Sequence, residues 1–165
     1  MKLTLKRFGK YILLDHLTDG GMGSIYRAKY ADPYIDRVII IKIVRPDLAS
    51  NGKYDHKIIE MFKREIGCIF SFNHENISQA CDSGEVDGFH YLAMEYCFGV
   101  SVQDIIATKR DGEIPPEICC RVILSVAKAL RHISDIKSLT RSIKRSFIHH
   151  DVDPSNIVIT YSGDV

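Results

Sequence analysis

Phe147-Ile148-His149-His150-Asp151-Val152-Asp153-Pro154-Ser155-Asn156-Ile157-Val158-Ile159 is the stretch on which the reading of this chain turns. It holds an Asp and an Asn five positions apart in a short proline-containing loop, and a β-branched strand follows at once. A carboxylate and an amide at that spacing suit a loop in which one group orients a hydroxyl and the other lends an oxygen to a metal ion. His149 and His150 do not read as a metal pair, because side chains at adjacent positions splay apart.

The 165 residues around this loop are enough for one full core or for two small lobes. A formal net charge of +1 offers no field that would draw nucleic acid or an acidic membrane surface, so neither is expected as the main partner. No apolar run approaches the roughly 20 residues that cross a bilayer, and membrane insertion is not expected. The basic start, Met1 to Arg7, is followed by no sustained apolar region and reads as no signal peptide. The five cysteines are odd in number and lack metal-ligand spacing, which reads as reduced thiols in a cytoplasmic protein.

Residues up to about position 100 read mostly as strands. Tyr11 to Leu17 and Ser24 to Tyr30 form two of them, joined by the glycine-rich turn Asp19-Gly20-Gly21-Met22-Gly23. Val38 to Val44 is an almost continuous β-branched run and predicts a strand buried on both faces. Tyr54 to Ser71 has helical periodicity. Ala80 to Glu85 and Phe89 to Tyr96 read as two more strands, turned by Val86-Asp87-Gly88. Beyond Tyr96 the pattern becomes helical, with a short helix over Ser101 to Lys109 and a longer one over Pro115 to Ile133. The longer helix carries the stripe Cys119, Ile123, Val126, Leu130 and Ile133, widened by Ile118 and Val122, and a stripe that broad expects burial. Lys137 to Ser146 reads as an exposed basic loop.

Lys42 sits in Ile39-Ile40-Ile41-Lys42-Ile43-Val44, where an unpaired ammonium would cost several kcal/mol to bury. Glu65 falls on the stripe Ile58, Phe62, Glu65, Ile69 of the following helix and meets the same difficulty. Pairing the two answers both; the alternative has Lys42 snorkelling to a strand edge and Glu65 at a boundary. Gly20, Gly21 and Gly23 either serve turn geometry or leave backbone N–H groups open to phosphate oxygens.

Glycine hairpin, buried-strand lysine, inward helix glutamate and Asp–Asn loop stand in the order in which protein kinases present these parts. The chain resembles the N-terminal part of a bacterial Hanks-type serine/threonine kinase domain over nearly its whole length. Leu17 to Ala28 is similar to the nucleotide loop, Val38 to Val44 to the third strand, and Phe62-Lys63-Arg64-Glu65 to the αC segment. His74-Glu75-Asn76-Ile77 resembles the turn before the fourth strand, and Tyr91 to Cys97 the fifth strand and hinge, with Met94 as gatekeeper. The resemblance implies an α+β, protein-kinase-like fold. It would have a complete N-lobe over residues 1–96, a five-stranded antiparallel sheet plus αC, and a truncated helical C-lobe over 97–165. It implies ATP and Mg²⁺ as cofactors and a protein substrate. Gly20, Gly21, Gly23 and Ile25 would line the nucleotide, and Lys42, paired with Glu65, would hold its α- and β-phosphates. The backbone of Glu95 and Cys97 would meet the adenine edge. Asp151 would orient the acceptor hydroxyl and Asn156 would hold the metal.

Three departures qualify that expectation. Thr18 stands where the first loop glycine would be, His150 replaces the Arg before the catalytic Asp, and Asp153 replaces the Lys two residues after it. A carboxylate there adds repulsion toward a transferring phosphoryl group. The Asp-Phe-Gly expected soon after Val165 is not in the sequence, so the long helix would look to a partner for cover and the chain alone would bind ATP with little turnover. Two rivals follow: an inactive kinase remnant serving as an ATP-binding or protein-interaction module, and a small-molecule phosphotransferase of the same fold, against which the glycine hairpin and hinge segment speak.

Overall fold

The computed structural model describes residues 6–20, 23–44, 56–108, 114–135, 149 and 151–165. They divide into two compact units, Met1–Phe70 with Gln79–Tyr96, and Ser71–Ser78 with Cys97–Val165.

The first unit is a six-stranded antiparallel sheet and one helix. In chain order the strands are β1 (Lys6–Phe8), β2 (Tyr11–Gly20), β3 (Gly23–Tyr30), β4 (Val38–Val44), β5 (Ala80–Val86) and β6 (Phe89–Glu95), and α1 (His56–Ile69) lies between β4 and β5. The sheet order is β1-β2-β3-β4-β6-β5. It holds one strand more than the five expected, because Lys6–Phe8 folds back on Tyr11–Leu13 through Lys6↔Leu13 and Phe8↔Tyr11. The β5–β6 hairpin turns at Asp87 (φ 51°) and Gly88 (φ 81°), the two left-handed residues that a two-residue hairpin loop requires.

β4 alternates rather than being buried on both faces. Ile39, Ile41 and Ile43 are buried on one side, while Ile40 and Lys42 on the other are half-buried. The first side joins Phe8, Tyr11, Leu13, Ala28, Tyr91 and Ala93 in the larger core. The second is packed by α1 at the Val44 end, where Val44, Phe62, Ala80 and Leu92 meet and Ile66, Ile69 and Met94 lean on them. Phe62 is fully buried, so truncating it would cost about 3–5 kcal/mol.

One carboxylate lies against the larger core. Asp82 Oδ2 accepts from the hydroxyls of Tyr11 (2.6 Å) and Tyr91 (2.7 Å) and lies 3.0 Å from Lys10 Nζ. Burial opposes its charge, but the bonds from Tyr11, Tyr91 and Lys10 prevail and hold its carboxyl below the usual range. Burial and the same carboxylate push the Tyr91 hydroxyl up to about 12 and raise that of Tyr11 as well.

The second unit contains β7 (Gly99–Ser101), α2 (Val102–Thr108), α3 (Pro116–Asp135), a 3-10 turn (Pro154–Asn156) and β8 (Val158–Thr160). β7 and β8 pair antiparallel. Ser101 caps α2: its Oγ accepts from Asp104 N (3.0 Å) and donates to Asp104 Oδ2 (2.6 Å). α3 starts one residue later than expected, with the Pro115 carbonyl accepting from Ile118 and Cys119. Its stripe lacks cover among the described residues, in line with the expectation that it would look to a partner. Only Ala129 and Ile133 are buried, and Ile123 is 68% exposed. The 71–78 segment rests on α3 in this unit. The His74 and His132 rings lie 5.0 Å apart, Glu75 faces Lys128 at 3.7 Å, and Asn76 Nδ2 donates to the Val165 carbonyl at 2.8 Å.

Candidate active site

Strand register decides which side chains share the α1 side of the sheet. Thr18↔Ile25, Ile25↔Lys42 and Lys42↔Leu92 form one row across four strands, and Leu92 packs against Phe62 of α1. Lys42 and Ile25 therefore face the side on which α1 lies. The neighbouring row is Asp15↔Arg27, Arg27↔Ile40 and Ile40↔Met94. Glu65 belongs to α1, three residues from Phe62 and four from Ile69. Its side chain lies outside the described residues, and so does the Lys42–Glu65 pairing.

The glycine hairpin is closed by Gly20↔Gly23, with Gly21 and Met22 outside the described residues. A Cβ on Gly23 would overlap the carbonyl oxygen of Ile43, so packing against β4 already demands glycine there. Asp19 adds a staple that sequence reasoning missed. Its Oδ1 accepts from the Ser24 hydroxyl (2.6 Å) and lies 3.0 Å from His16 Nε2, while Ser24 is 2% exposed. The signal was local, since Asp19 and Ser24 flank the glycines.

Glu95 closes β6. Its N–H donates to the Gln79 carbonyl at 2.9 Å. Arg37 lies 4.0 Å from its carboxylate. Tyr96 is the last residue of the first unit, and Cys97 begins a stretch of the second. The guanidinium of Arg27 lies over the Tyr96 ring, 5.8 Å from its centroid, and is held by Asp15. Bonds to Asp15, then to Tyr96, keep it above the usual arginine range against partial burial.

In the second unit the structure brings Asp151 and Asn156 together. Asn156 Nδ2 donates to Asp151 Oδ2 (3.0 Å) and to the Asp151 carbonyl (3.1 Å). With the amide nitrogen so engaged, Oδ1 is the atom that could hold a hard cation. The 3-10 turn that carries Asn156 begins at Asp153, whose Oδ1 accepts from Ser155 N (2.9 Å) and Ser155 Oγ (2.6 Å). The hydroxyl bond first, and the amide bond second, hold the Asp153 carboxyl below the usual range. Its charge is therefore spent on the loop itself. Among the described residues no three His, Cys, Asp or Glu gather to hold a metal. One amide oxygen beside one carboxylate fits part of a Mg²⁺ site, in which phosphate oxygens and water supply the remaining ligands.

Residues 11–165 match the protein kinase domain family, and the chain belongs to it. It is 30% identical over 157 residues to the serine/threonine-protein kinase PrkC of Bacillus subtilis, covering 95% of this chain and 22% of that protein. It is 30% identical over 165 residues to the tyrosine-protein kinase MasK of Myxococcus xanthus, covering 98% of this chain and 25% of that one. The crystal structure of the Mycobacterium tuberculosis PknI kinase domain superposes with a TM-score of 0.71 at 25% identity, over 96% of this chain and 58% of that one. The chain thus spans about a quarter or less of these two curated relatives' length. Protein kinases use ATP and a divalent metal. No described helix is long and apolar enough to cross a membrane.

Proposed function

We propose that this chain is the nucleotide-binding front of an ATP-dependent protein serine/threonine kinase, acting in the cytoplasm. The γ-phosphoryl group of ATP would pass to a Ser or Thr hydroxyl of a protein. The observation that carries the reading is the Asp151–Asn156 contact. It sets a carboxylate beside an amide whose nitrogen it engages, which leaves the amide oxygen as the atom that would hold a cation, the pairing that phosphoryl transfer needs. Gly20, Gly21, Gly23 and Ile25 would cover the nucleotide. Lys42 would neutralise the α- and β-phosphates with Glu65 as counter-ion, and the backbone of Glu95 and Cys97 would read the adenine. Asp151 would orient the acceptor hydroxyl and Asn156 would hold Mg²⁺, with charge stabilisation supplied by the metal.

Asp153 favours a second reading, an ATP-binding module with little transfer. By its position two residues after Asp151, its carboxyl would stand in for the cation that steadies the moving phosphoryl group, and a partner would then cover the exposed side of α3. Transfer of labelled γ-phosphate from MgATP to casein, with Asp151→Asn as control, separates the two. Transfer lost in Asp151→Asn supports the kinase. MgATP binding without transfer supports the module, and no binding at millimolar MgATP sinks both.

A further inference from the structure

Arg27 is a long cation that the proposed chemistry does not use, on the sheet face that it does use. It stands two residues from Ile25 on β3, so its row lies about 7 Å from that of Lys42. Its Nε donates to Asp15 Oδ1 at 3.0 Å, and Nη2 lies 2.9 Å from the same oxygen. The other face of the guanidinium is given to Tyr96, with Cζ 5.8 Å from the ring centroid, within cation–π range. Asp15 and Arg27 belong to the two strands of the glycine hairpin, and Tyr96 follows β6 directly. The contact therefore joins two segments that are far apart in sequence and that a nucleotide must touch at its two ends.

Resting on the ATP-binding reading, we propose that Arg27 is a positioning residue for the purine end of the nucleotide. With Asp15 as counter-ion it holds the Tyr96 ring, and with it the flanking Glu95 backbone, against the base of the glycine hairpin. The phosphates answer to Lys42, one row away, and to the glycines beyond it, and do not depend on this pin. Loss of the pin removes one constraint on the Tyr96 ring, and the ligand then fixes that ring at its own expense in affinity. The cost falls on the base and spares the phosphates. A strut that only held the sheet together would make no such distinction.

The test is calorimetric titration of the full chain with MgATP, adenosine and magnesium tripolyphosphate, using Arg27→Met, Arg27→Lys and Tyr96→Leu. Arg27→Met is expected to weaken MgATP and adenosine about tenfold, equivalent to about 1.4 kcal/mol, and to leave tripolyphosphate within about twofold. Arg27→Lys keeps the charge but not the fork that meets Asp15 or the plane over Tyr96, and should recover only part of the loss. Tyr96→Leu leaves the Asp15–Arg27 pair intact and should reproduce the adenosine defect even if Arg27→Met folds poorly. The double variant should bind no worse than either single one. Adenosine affinity unchanged in Tyr96→Leu, or tripolyphosphate lost in step with adenosine, overturns the inference and leaves the ATP reading standing. A wild-type chain that binds none of the three overturns both.

Discussion

Replacing Asp82 by Ala tests how much of the first unit's stability rests on one carboxylate. The change strands two hydroxyls that now donate to it, those of Tyr11, which is fully buried, and Tyr91, which is 6% exposed. A buried donor without an acceptor costs about 1–3 kcal/mol. Asp82 is 25% exposed, so some water can enter, and the Lys10 ion pair, with Lys10 58% exposed, adds little. The sum comes to about 3 kcal/mol, or a fall in Tm of about 6–12 °C for a chain of this size. Asp82→Asn keeps an acceptor but loses the charge and should lose about half as much. Thermal melts followed by far-ultraviolet circular dichroism measure both. The pH dependence has a defined sign on each side. The Asp82 carboxyl is lowered by folding, so its contribution is present above about pH 4 and is lost as pH falls through the folded value. The Tyr91 hydroxyl is raised, so its contribution is intact below about pH 10 and is lost as pH rises toward about 12. An Asp82→Ala protein melting within about 2 °C of wild type, or no lower than Asp82→Asn, would refute the reasoning.

Three further outcomes follow from the geometry. Gly23→Ala forces a methyl group onto the Ile43 carbonyl and should lower stability even without nucleotide by about 1–3 kcal/mol, read as a lower Tm; an unchanged melt would make the hairpin glycine a purely ligand-directed one. His132→Phe removes a buried Nε2 that has no hydrogen-bond partner and keeps the ring contact with His74, so stability should rise by about 1 kcal/mol, read as a higher denaturation midpoint. Lys42→Met should weaken MgATP binding about 10–100-fold, the worth of one charge-assisted bond to phosphate, and equal affinity by titration would remove Lys42 from the site.

The sequence made some of this legible because the signals were local. Val38–Val44 could be bounded from its β-branched run, and Asp87-Gly88 from the turn chemistry that positive φ demands. The Asp151–Asn156 pair could be read because both residues lie on one short loop. β1 and β7 could not, since three residues carry no measurable period. Asp82 and Arg27 escaped for another reason. Their partners lie 71 and 12 residues away for Tyr11–Asp82 and Asp15–Arg27, and only strand register brings them together. The α3 stripe was legible as apolar and as short of cover, and the exposed Ile123 agrees, but periodicity is silent on what would pack there. Glu65 stays a sequence-based expectation, fixed in position on α1 but not in the reach of its carboxylate.

The polypeptide passes between the two units at Phe70–Ser71, at Ser78–Gln79 and at Tyr96–Cys97. A protease that cut any one of these junctions would leave at least one unit in two pieces held only by noncovalent contacts, and a cut at Tyr96–Cys97 would free residues 97–165 from every covalent tie. The excursion of residues 71–78 also means that neither unit is a continuous piece of the gene. A fragment made from Cys97 onward would lack His74 and Glu75, leaving bare the part of α3 they touch.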